Sequence, residues 1–325
     1  MRVIRIALIT ALLLNTGGFL RAGLGMADGP TRTAILALGG PIDAMAHALD
    51  LDRPRSALDA ALGHPDGRPG APTLVDPGKT RLERDAVNAP GTVALPSRPT
   101  APVAASVRIP DQRHPLRVLV TGDSLSDFDG QQLAKIIAAQ GLPATVRDEP
   151  RNGTGLTQPA VFDWASEAAN DAVVHDPDVV VMVLGANDGW PVAVGGGGQA
   201  AEGSDAWVAE YTRRVEAVTR EFLAGDPQRR VYWVGPPVPR SQPWIHIFNR
   251  INGAVRDAVP YLPGLRYVDV AGPTSDNGGY TDYLQAPGGQ RILARQHDGI
   301  HFSYPGSVFP ARIILAALKE EYMLR

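Results

Sequence analysis

Polar side chains that could perform acyl-transfer chemistry occur at three separate places in the sequence. Ser124 stands in "TGDSLSD" directly after the apolar run "LRVLV", and Asn187 lies in "LGAND" after "DVVVMV". Near the C-terminus, "DGIH" places Asp298 three residues before His301. A serine hydroxyl is a poor nucleophile until a base accepts its proton, and a histidine can do so when a carboxylate fixes its tautomer. These residues therefore predict a Ser124–His301–Asp298 triad.

An ester carbonyl under attack develops negative charge on its oxygen, which needs hydrogen-bond donors. The backbone N–H of Ser124 is one candidate, because it stands at a predicted helix N-terminus, where N–H groups lack intrahelical partners. The side-chain amide of Asn187 is a second candidate. A glycine N–H in "RNGTGL", after the second predicted strand, would be the third.

Apolar runs and amphipathic segments alternate from residue 116 to the C-terminus. This alternation predicts an α/β fold in which a parallel sheet is covered by helices on both faces. Ligands of such sheets bind outside the carboxyl ends of the strands, which is where Ser124 and Asn187 are predicted to lie. The predicted strands are "LRVLVTG", "ATVRDE", "DVVVMVLGAND", "RRVYWVGPP" and "GLRYVDVAG".

The order and spacing of "GDSLS", a glycine in a polar turn, "GAND" and "DGIH" resemble the SGNH (GDSL-type) hydrolases. The resemblance covers about 210 residues, the whole predicted folded region. It implies a three-layer α/β/α arrangement with a flavodoxin-like parallel sheet, and an enzyme without a cofactor. It also implies that Ser124 is the nucleophile, His301 the base and Asp298 the residue that orients the base.

The same resemblance implies an oxyanion hole made by Ser124, Asn187 and a glycine. Gly155 in "TGL" best matches the glycine turn of the family, and Gly153 is the alternative. "WVGPP", "RYVDV" and "RQHDGIHF" resemble an exported branch with an N-terminal hydrophobic segment and a proline-rich spacer. The implied activity is an extracytoplasmic serine esterase acting on acyl esters, O-acetyl groups of cell-envelope carbohydrate among them. An O-acyltransferase on the same scaffold remains an alternative.

Residues 1–27 have the pattern of an export signal or membrane anchor. Arg2 and Arg5 precede the uncharged run "IALITALLLNTGGFL", and a basic start followed by an apolar stretch is typical of export signals. Arginines on this side predict that the rest of the chain faces outward. Cleavage and retention of the segment both stay open, and the remaining alternative is a buried helix or a start at Met26.

Three regions follow this segment. Residues 28–62 carry apolar spacing that predicts one or two short amphipathic helices. Residues 63–115 are rich in proline and glycine and show no apolar period, which predicts an extended linker. Residues 116–325 form the predicted catalytic domain.

Composition bounds the classes of function. A formal net charge of −3 gives no electrostatic reason to expect a nucleic-acid partner, and the absence of cysteine excludes a thiol nucleophile and a Cys-ligated zinc. His297 stands beside Asp298 and His301, but no further cluster completes a metal site. We therefore expect no metal or cofactor, and a small-molecule or carbohydrate ester as substrate. Two further alternatives are a non-catalytic glycan-binding or scaffold module of the envelope, and a flavodoxin-like nucleotide binder that would leave "DGIH" without a role.

Four acidic residues near these motifs have predicted supporting roles. We expect Asp123 and Asp188 to brace their loops through hydrogen bonds. Asp127 and Asp129 precede the first helical pattern, and we expect their charges to favour the start of that helix.

Several larger side chains are candidates for contact with the substrate. Trp190 and Trp207 could form a wall of the cleft, although the helical spacing of Trp207 fits a core position equally well. His246 could line the cleft or lie on the surface of its helix. Arg240 and Arg295 could contact a polar or anionic substrate.

Overall fold

A computed structural model describes residues 105–195, 197–286 and 288–325. The predicted export or anchor segment, the amphipathic segment and the linker up to residue 104 lie outside the described residues. The described chain forms two compact units, one made of residues 105–281 and 307–325 and the other of residues 282–306.

The strands of the larger unit are β1 Leu116–Gly122, β2 Ala144–Pro150, β3 Val179–Val183, β4 Val192–Val194, β5 Gly198–Ala200, β6 Arg230–Val234 and β7 Leu265–Val268. Five of them form a parallel sheet with the order β2-β1-β3-β6-β7. Taken in chain order, these strands follow the flavodoxin-like arrangement 2-1-3-4-5, so the predicted fold class is confirmed. A separate short hairpin pairs β4 with β5.

The helices of this unit are α1 Asp129–Ala139, α2 Trp164–Val174, α3 Asp205–Leu223, α4 Gln242–Ala258 and α5 Val308–Tyr322. They cover the sheet in two layers, with α1 packed beside α5 and α3 packed between α2 and α4. The third helix begins after Ser204, whose hydroxyl accepts the N–H of Trp207 as its N-cap. Of the helices in the described part of the chain, none combines the length and apolar character needed to cross a bilayer.

The core lies between the sheet and these helices. All five residues of β3 are buried, as are all five of β6, which is typical of parallel strands covered on both faces. Trp207 is fully buried and stacks on Tyr211 with ring centroids 4.7 Å apart. The sequence left Trp207 between a cleft position and a core position, and the structure assigns it to the core.

The smaller unit consists of a hairpin and the loop that follows it. Strand β8 (Tyr283–Gln285) pairs antiparallel with β9 (Arg291–Leu293). After β9 the chain folds back on itself, with an antiparallel bridge between Arg295 and Phe302. The predicted "DGIH" motif lies inside this bridged loop.

Candidate active site

Ser124 follows the end of β1 after a turn that requires glycine. Gly122 has φ +144°, and a Cβ at this position would lie 1.8 Å from the carbonyl oxygen of Val183 on the neighbouring strand. A side chain is therefore excluded by contact as well as by conformation. Ser124 then begins a short 3-10 helix, Ser124–Ser126, at the carboxyl edge of the sheet. Its residue surface is 9% exposed.

Asp123 fixes the backbone on both sides of this edge. One carboxylate oxygen accepts the N–H of Leu125 at 2.8 Å, and the other accepts the N–H groups of Gly185 and Ala186, each at 2.8 Å. The side chain is completely buried. The predicted bracing role of Asp123 is confirmed, and it ties the segment of Ser124 to the one that carries Asn187.

Asn187 is held against the glycine turn after β2. Its side-chain Nδ2 donates a hydrogen bond to the carbonyl oxygen of Thr154 at 3.0 Å. An amide NH₂ carries two N–H groups, so this bond orients the amide while using one of them. Nothing in the sequence pattern identified Thr154, because its contribution is a backbone carbonyl that any residue could supply.

The two candidate glycines of that turn differ in their surroundings. Gly155 lies close to Asp188, where an added Cβ would be 2.6 Å from the carboxylate oxygen Oδ1 and 3.3 Å from the carbonyl oxygen of Asn187. Gly153 has φ +78° and no atom within 4 Å of such a Cβ. Gly155 is therefore the glycine that packs beside the Asn187 loop, whereas Gly153 permits the preceding turn.

The carboxylate of Asp188 braces the same turn through hydrogen bonds. It accepts the N–H of Thr157 and the hydroxyl of Tyr211, each at 2.8 Å. Burial raises the pKa of Asp188, and the hydrogen bonds from Thr157 and Tyr211 oppose this rise. The predicted bracing role is confirmed. The sequence did not single out Tyr211, which lies one helical turn after the core residue Trp207 and shares its face of α3.

Asp298 and His301 form a close pair within the smaller unit. Oδ2 of Asp298 lies 2.6 Å from Nδ1 of His301, and Oδ1 accepts the backbone N–H groups of Ile300 at 2.8 Å and His301 at 3.1 Å. Burial raises the pKa of the Asp298 carboxyl, but the hydrogen bond from His301 and the two N–H groups outweigh it and hold that pKa below its ordinary value. An ionised carboxylate only accepts hydrogen bonds. Nδ1 of His301 therefore donates the hydrogen bond to Asp298.

The predicted site residues thus fall into two groups. The larger unit gathers Ser124, Gly155 and Asn187 at the carboxyl edge of its sheet, linked by the hydrogen bonds of Asp123 and Asp188 and by the amide of Asn187. The smaller unit pairs Asp298 with His301.

Asp129 lies in the first turn of α1, as the sequence predicts, but in a buried position. The N-cap is Phe128, which makes no side-chain capping bond, and Asp129 is only 1% exposed. Burial, together with the charges of Asp148 and Asp127, raises the pKa of Asp129 well above its ordinary value. Burial therefore opposes the charged form on which the expected electrostatic role depends, and that role stays a prediction. The helix packs against β2, whose Asp148 carboxylate is so close that a Cβ on Gly130 would be 2.3 Å from it.

The expectation that Arg295 contacts substrate is wrong, because its side chain is 1% exposed and bonds within its own loop. Arg240 is exposed; its Nη2 donates to the Tyr280 hydroxyl at 3.0 Å, and its contact with substrate stays a prediction. His246 is exposed on α4.

Across the three described ranges, no group of three or more His, Cys, Asp or Glu side chains is arranged to hold a metal ion.

Comparison with known proteins gives one match to a family. The family described as "Protein of unknown function (DUF459)" matches residues 117–317. No curated protein matches the chain.

Several solved structures resemble the chain at low sequence identity. The Clostridium thermocellum family 3 carbohydrate esterase is 15% identical, with a TM-score of 0.43 over 64% of this chain and 97% of that one. The native M. smegmatis aryl esterase is 14% identical, with a TM-score of 0.45 over 63% of this chain and 99% of that one. The periplasmic domain of the lipopolysaccharide acetyltransferase from Salmonella ser. Paratyphi A is 14% identical, with a TM-score of 0.43 over 63% of this chain and 84% of that one.

Proposed function

We propose that this chain, which belongs to the family described as "Protein of unknown function (DUF459)", is a serine ester hydrolase of the SGNH type that works through an acyl-enzyme. The observation that carries the proposal is the pairing of Asp298 with His301 at 2.6 Å. A carboxylate that accepts the Nδ1 proton leaves Nε2 as the nitrogen that can accept a proton, which is the arrangement a general base requires.

Ser124 is the nucleophile in this proposal. It stands at the N-terminus of a short helix at the carboxyl edge of the sheet, where ligands of such sheets bind. Its hydroxyl attacks an ester carbonyl while Nε2 of His301 accepts the hydroxyl proton. The new bond between Oγ and the carbonyl carbon gives a tetrahedral intermediate with negative charge on the former carbonyl oxygen.

Asn187 and the backbone N–H groups of Ser124 and Gly155 are the proposed donors to that oxygen. Support comes from the second N–H of the Asn187 amide and from the rigid bracing of its loop by Asp123. Donors held in place before the reaction stabilise the developing charge without reorganising.

The intermediate then collapses and the carbon–oxygen bond to the alcohol breaks. His301 returns its proton to the departing alcohol, which leaves an ester between the acyl group and Ser124. Water attacks this acyl-enzyme, His301 takes one of its protons and passes it to Oγ of Ser124, and the carboxylic acid is released. An acceptor hydroxyl in place of water would make the same chemistry an acyl transfer.

The substrate is proposed to be an acyl ester, O-acetylated envelope carbohydrate among them, outside the cytoplasmic membrane. The support for this location is the basic and apolar pattern of residues 1–27. Protease accessibility of the full chain in spheroplasts, whose outer envelope is opened while the cytoplasmic membrane stays intact, tests it. A chain that is protected until the cytoplasmic membrane is lysed would contradict export.

Labelling of the purified protein with a fluorophosphonate tests the reaction. We expect the wild-type protein to be labelled and to hydrolyse p-nitrophenyl acetate, and Ser124→Ala and His301→Gln to lose both properties. Ser126→Ala is the matched control, because Ser126 lies in the same short helix and its hydroxyl donates to the carbonyl oxygen of Asp123. Undiminished labelling of Ser124→Ala would refute the proposal, and a wild-type protein without labelling would favour a non-catalytic module.

A further inference from the structure

Arg295 is a buried cation in the loop that carries Asp298 and His301. Its side chain is 1% exposed, and arginine is rarely buried to this degree. A buried charge costs free energy unless hydrogen bonds and neighbouring groups compensate for it. Its contacts within the loop therefore indicate what the residue does.

Two of those contacts fall on the neighbours of His301. Nη2 of Arg295 donates to the carbonyl oxygen of Ile300 at 2.7 Å. Its Cζ lies 4.8 Å from the centre of the Phe302 ring, within the range of a cation–π contact. One guanidinium group thus holds the residues immediately before and after His301.

The backbone of the same segment is tied to His301 as well. Arg295 and Phe302 form an antiparallel bridge, and the N–H of Gln296 donates to the carbonyl oxygen of His301 at 2.8 Å. The loop between them reverses at Gly299, whose φ of +73° favours glycine. The guanidinium adds side-chain contacts to a segment whose backbone is already paired.

We propose that Arg295 is a positioning residue that fixes the orientation of the His301 imidazole. The proposal rests on the proposed function, in which His301 is the base. A base must lie within hydrogen-bond reach of the proton it accepts, and a displacement of about 1 Å can cost about 10²-fold in rate. Lysine cannot substitute fully, because a compact ammonium lacks the planar group that stacks on Phe302 while donating to Ile300.

The test compares Arg295→Met and Arg295→Lys with the wild-type full chain. We expect kcat for p-nitrophenyl acetate to fall about 10- to 100-fold in Arg295→Met, and less in Arg295→Lys, with little change in KM. The proton NMR resonance of the His301 Nδ1–H, assigned with His301→Gln, is expected to shift or broaden in both variants. A role confined to stability would lower the melting temperature without this loss of kcat and without the spectral change.

The hairpin of the same unit offers a matched control. Arg291 is exposed, and its Cζ lies 4.0 Å from the centre of the Tyr283 ring. Arg291→Met removes an arginine–aromatic contact of the same kind outside the His301 loop, and we expect kcat and the Nδ1–H resonance to be unchanged.

If Arg295→Met fails to fold, Phe302→Leu carries the test, since it removes only the ring under the guanidinium and is expected to lower kcat in the same way. The proposal is overturned if folded Arg295→Met, or Phe302→Leu in its place, keeps wild-type kcat and an unchanged resonance while His301→Gln is inactive. An active Ser124→Ala would instead refute the proposed function. The Nδ1–H resonance would then still report whether Arg295 orients His301.

Discussion

The carboxylate of Asp123 accepts the backbone N–H of Gly185 at 2.8 Å, although 62 residues separate them in the sequence. This bond joins the turn after β1 to the turn after β3, which places the segments of Ser124 and Asn187 in a fixed relation. The same oxygen accepts the N–H of Ala186, and the other oxygen caps the helix of Ser124 at Leu125.

Asp123→Asn should therefore disturb two turns at once. An asparagine has one acceptor oxygen and one NH₂ group. The NH₂ group would therefore face backbone N–H donors that the second carboxylate oxygen of Asp123 accepts in the wild-type protein. We expect the free energy of unfolding to fall by about 1–3 kcal/mol, with a loss of kcat because Ser124 shifts. Urea denaturation and esterase kinetics measure the two effects.

Asp163→Asn is the control for this substitution. Asp163 caps α2 by accepting the N–H groups of Ala165 and Ser166 at an exposed site, where asparagine caps about as well as aspartate. Equal destabilisation of the two variants would contradict the role given to Asp123.

Asn187→Ala tests the proposed oxyanion donor. We expect kcat to fall by about 10²–10³ with little change in KM, because the lost donor acts in the transition state. The hydrogen bond to Thr154 is lost as well, so the melting temperature should drop modestly. Asn249→Ala, at an exposed position of α4, is the control for kinetics and for melting. A wild-type kcat in Asn187→Ala would remove this residue from the mechanism.

Asp298→Asn tests the partner of His301. The amide cannot accept the Nδ1 proton and the two backbone N–H groups in the same way, so the imidazole would lose its fixed tautomer. We expect kcat to fall by up to about 10⁴, while fluorophosphonate labelling becomes slower rather than absent. Unchanged steady-state kinetics would show that His301 needs no carboxylate in this protein.

The sequence predicted the strands, the helices and the α/β fold class, because these depend on patterns within short segments, whereas the strand order followed from the resemblance to the SGNH hydrolases. The buried run of β3 and the bracing carboxylates of Asp123 and Asp188 are of the former kind. The burial of Asp129 left no sign in the sequence, because it depends on the packing of α1 against β2, which only the folded chain brings together. Arg295 was misjudged for the same reason, since a charged residue in a polar loop gives no local sign that the loop closes over it.

Asp148 should make the stability of the protein depend on pH. Burial, with the charges of Asp127 and Glu149, raises its pKa from the ordinary 3.8 to about 7. The folded protein therefore binds this proton more tightly than the unfolded chain does. The stabilisation is fully present below pH about 4 and is lost as the pH rises through about 7.

Asp148→Asn removes this titration while keeping the shape of the side chain. We expect the variant to lose less stability than the wild-type protein as the pH rises from about 5 to about 8. The melting temperature or the urea midpoint, measured at several pH values across this range, checks this. Asp226→Asn is the comparison, because Asp226 accepts only an exposed backbone N–H, that of Gln228. If Asp148→Asn and Asp226→Asn follow the wild-type pH profile alike, the carboxyl of Asp148 does not take up a proton on folding.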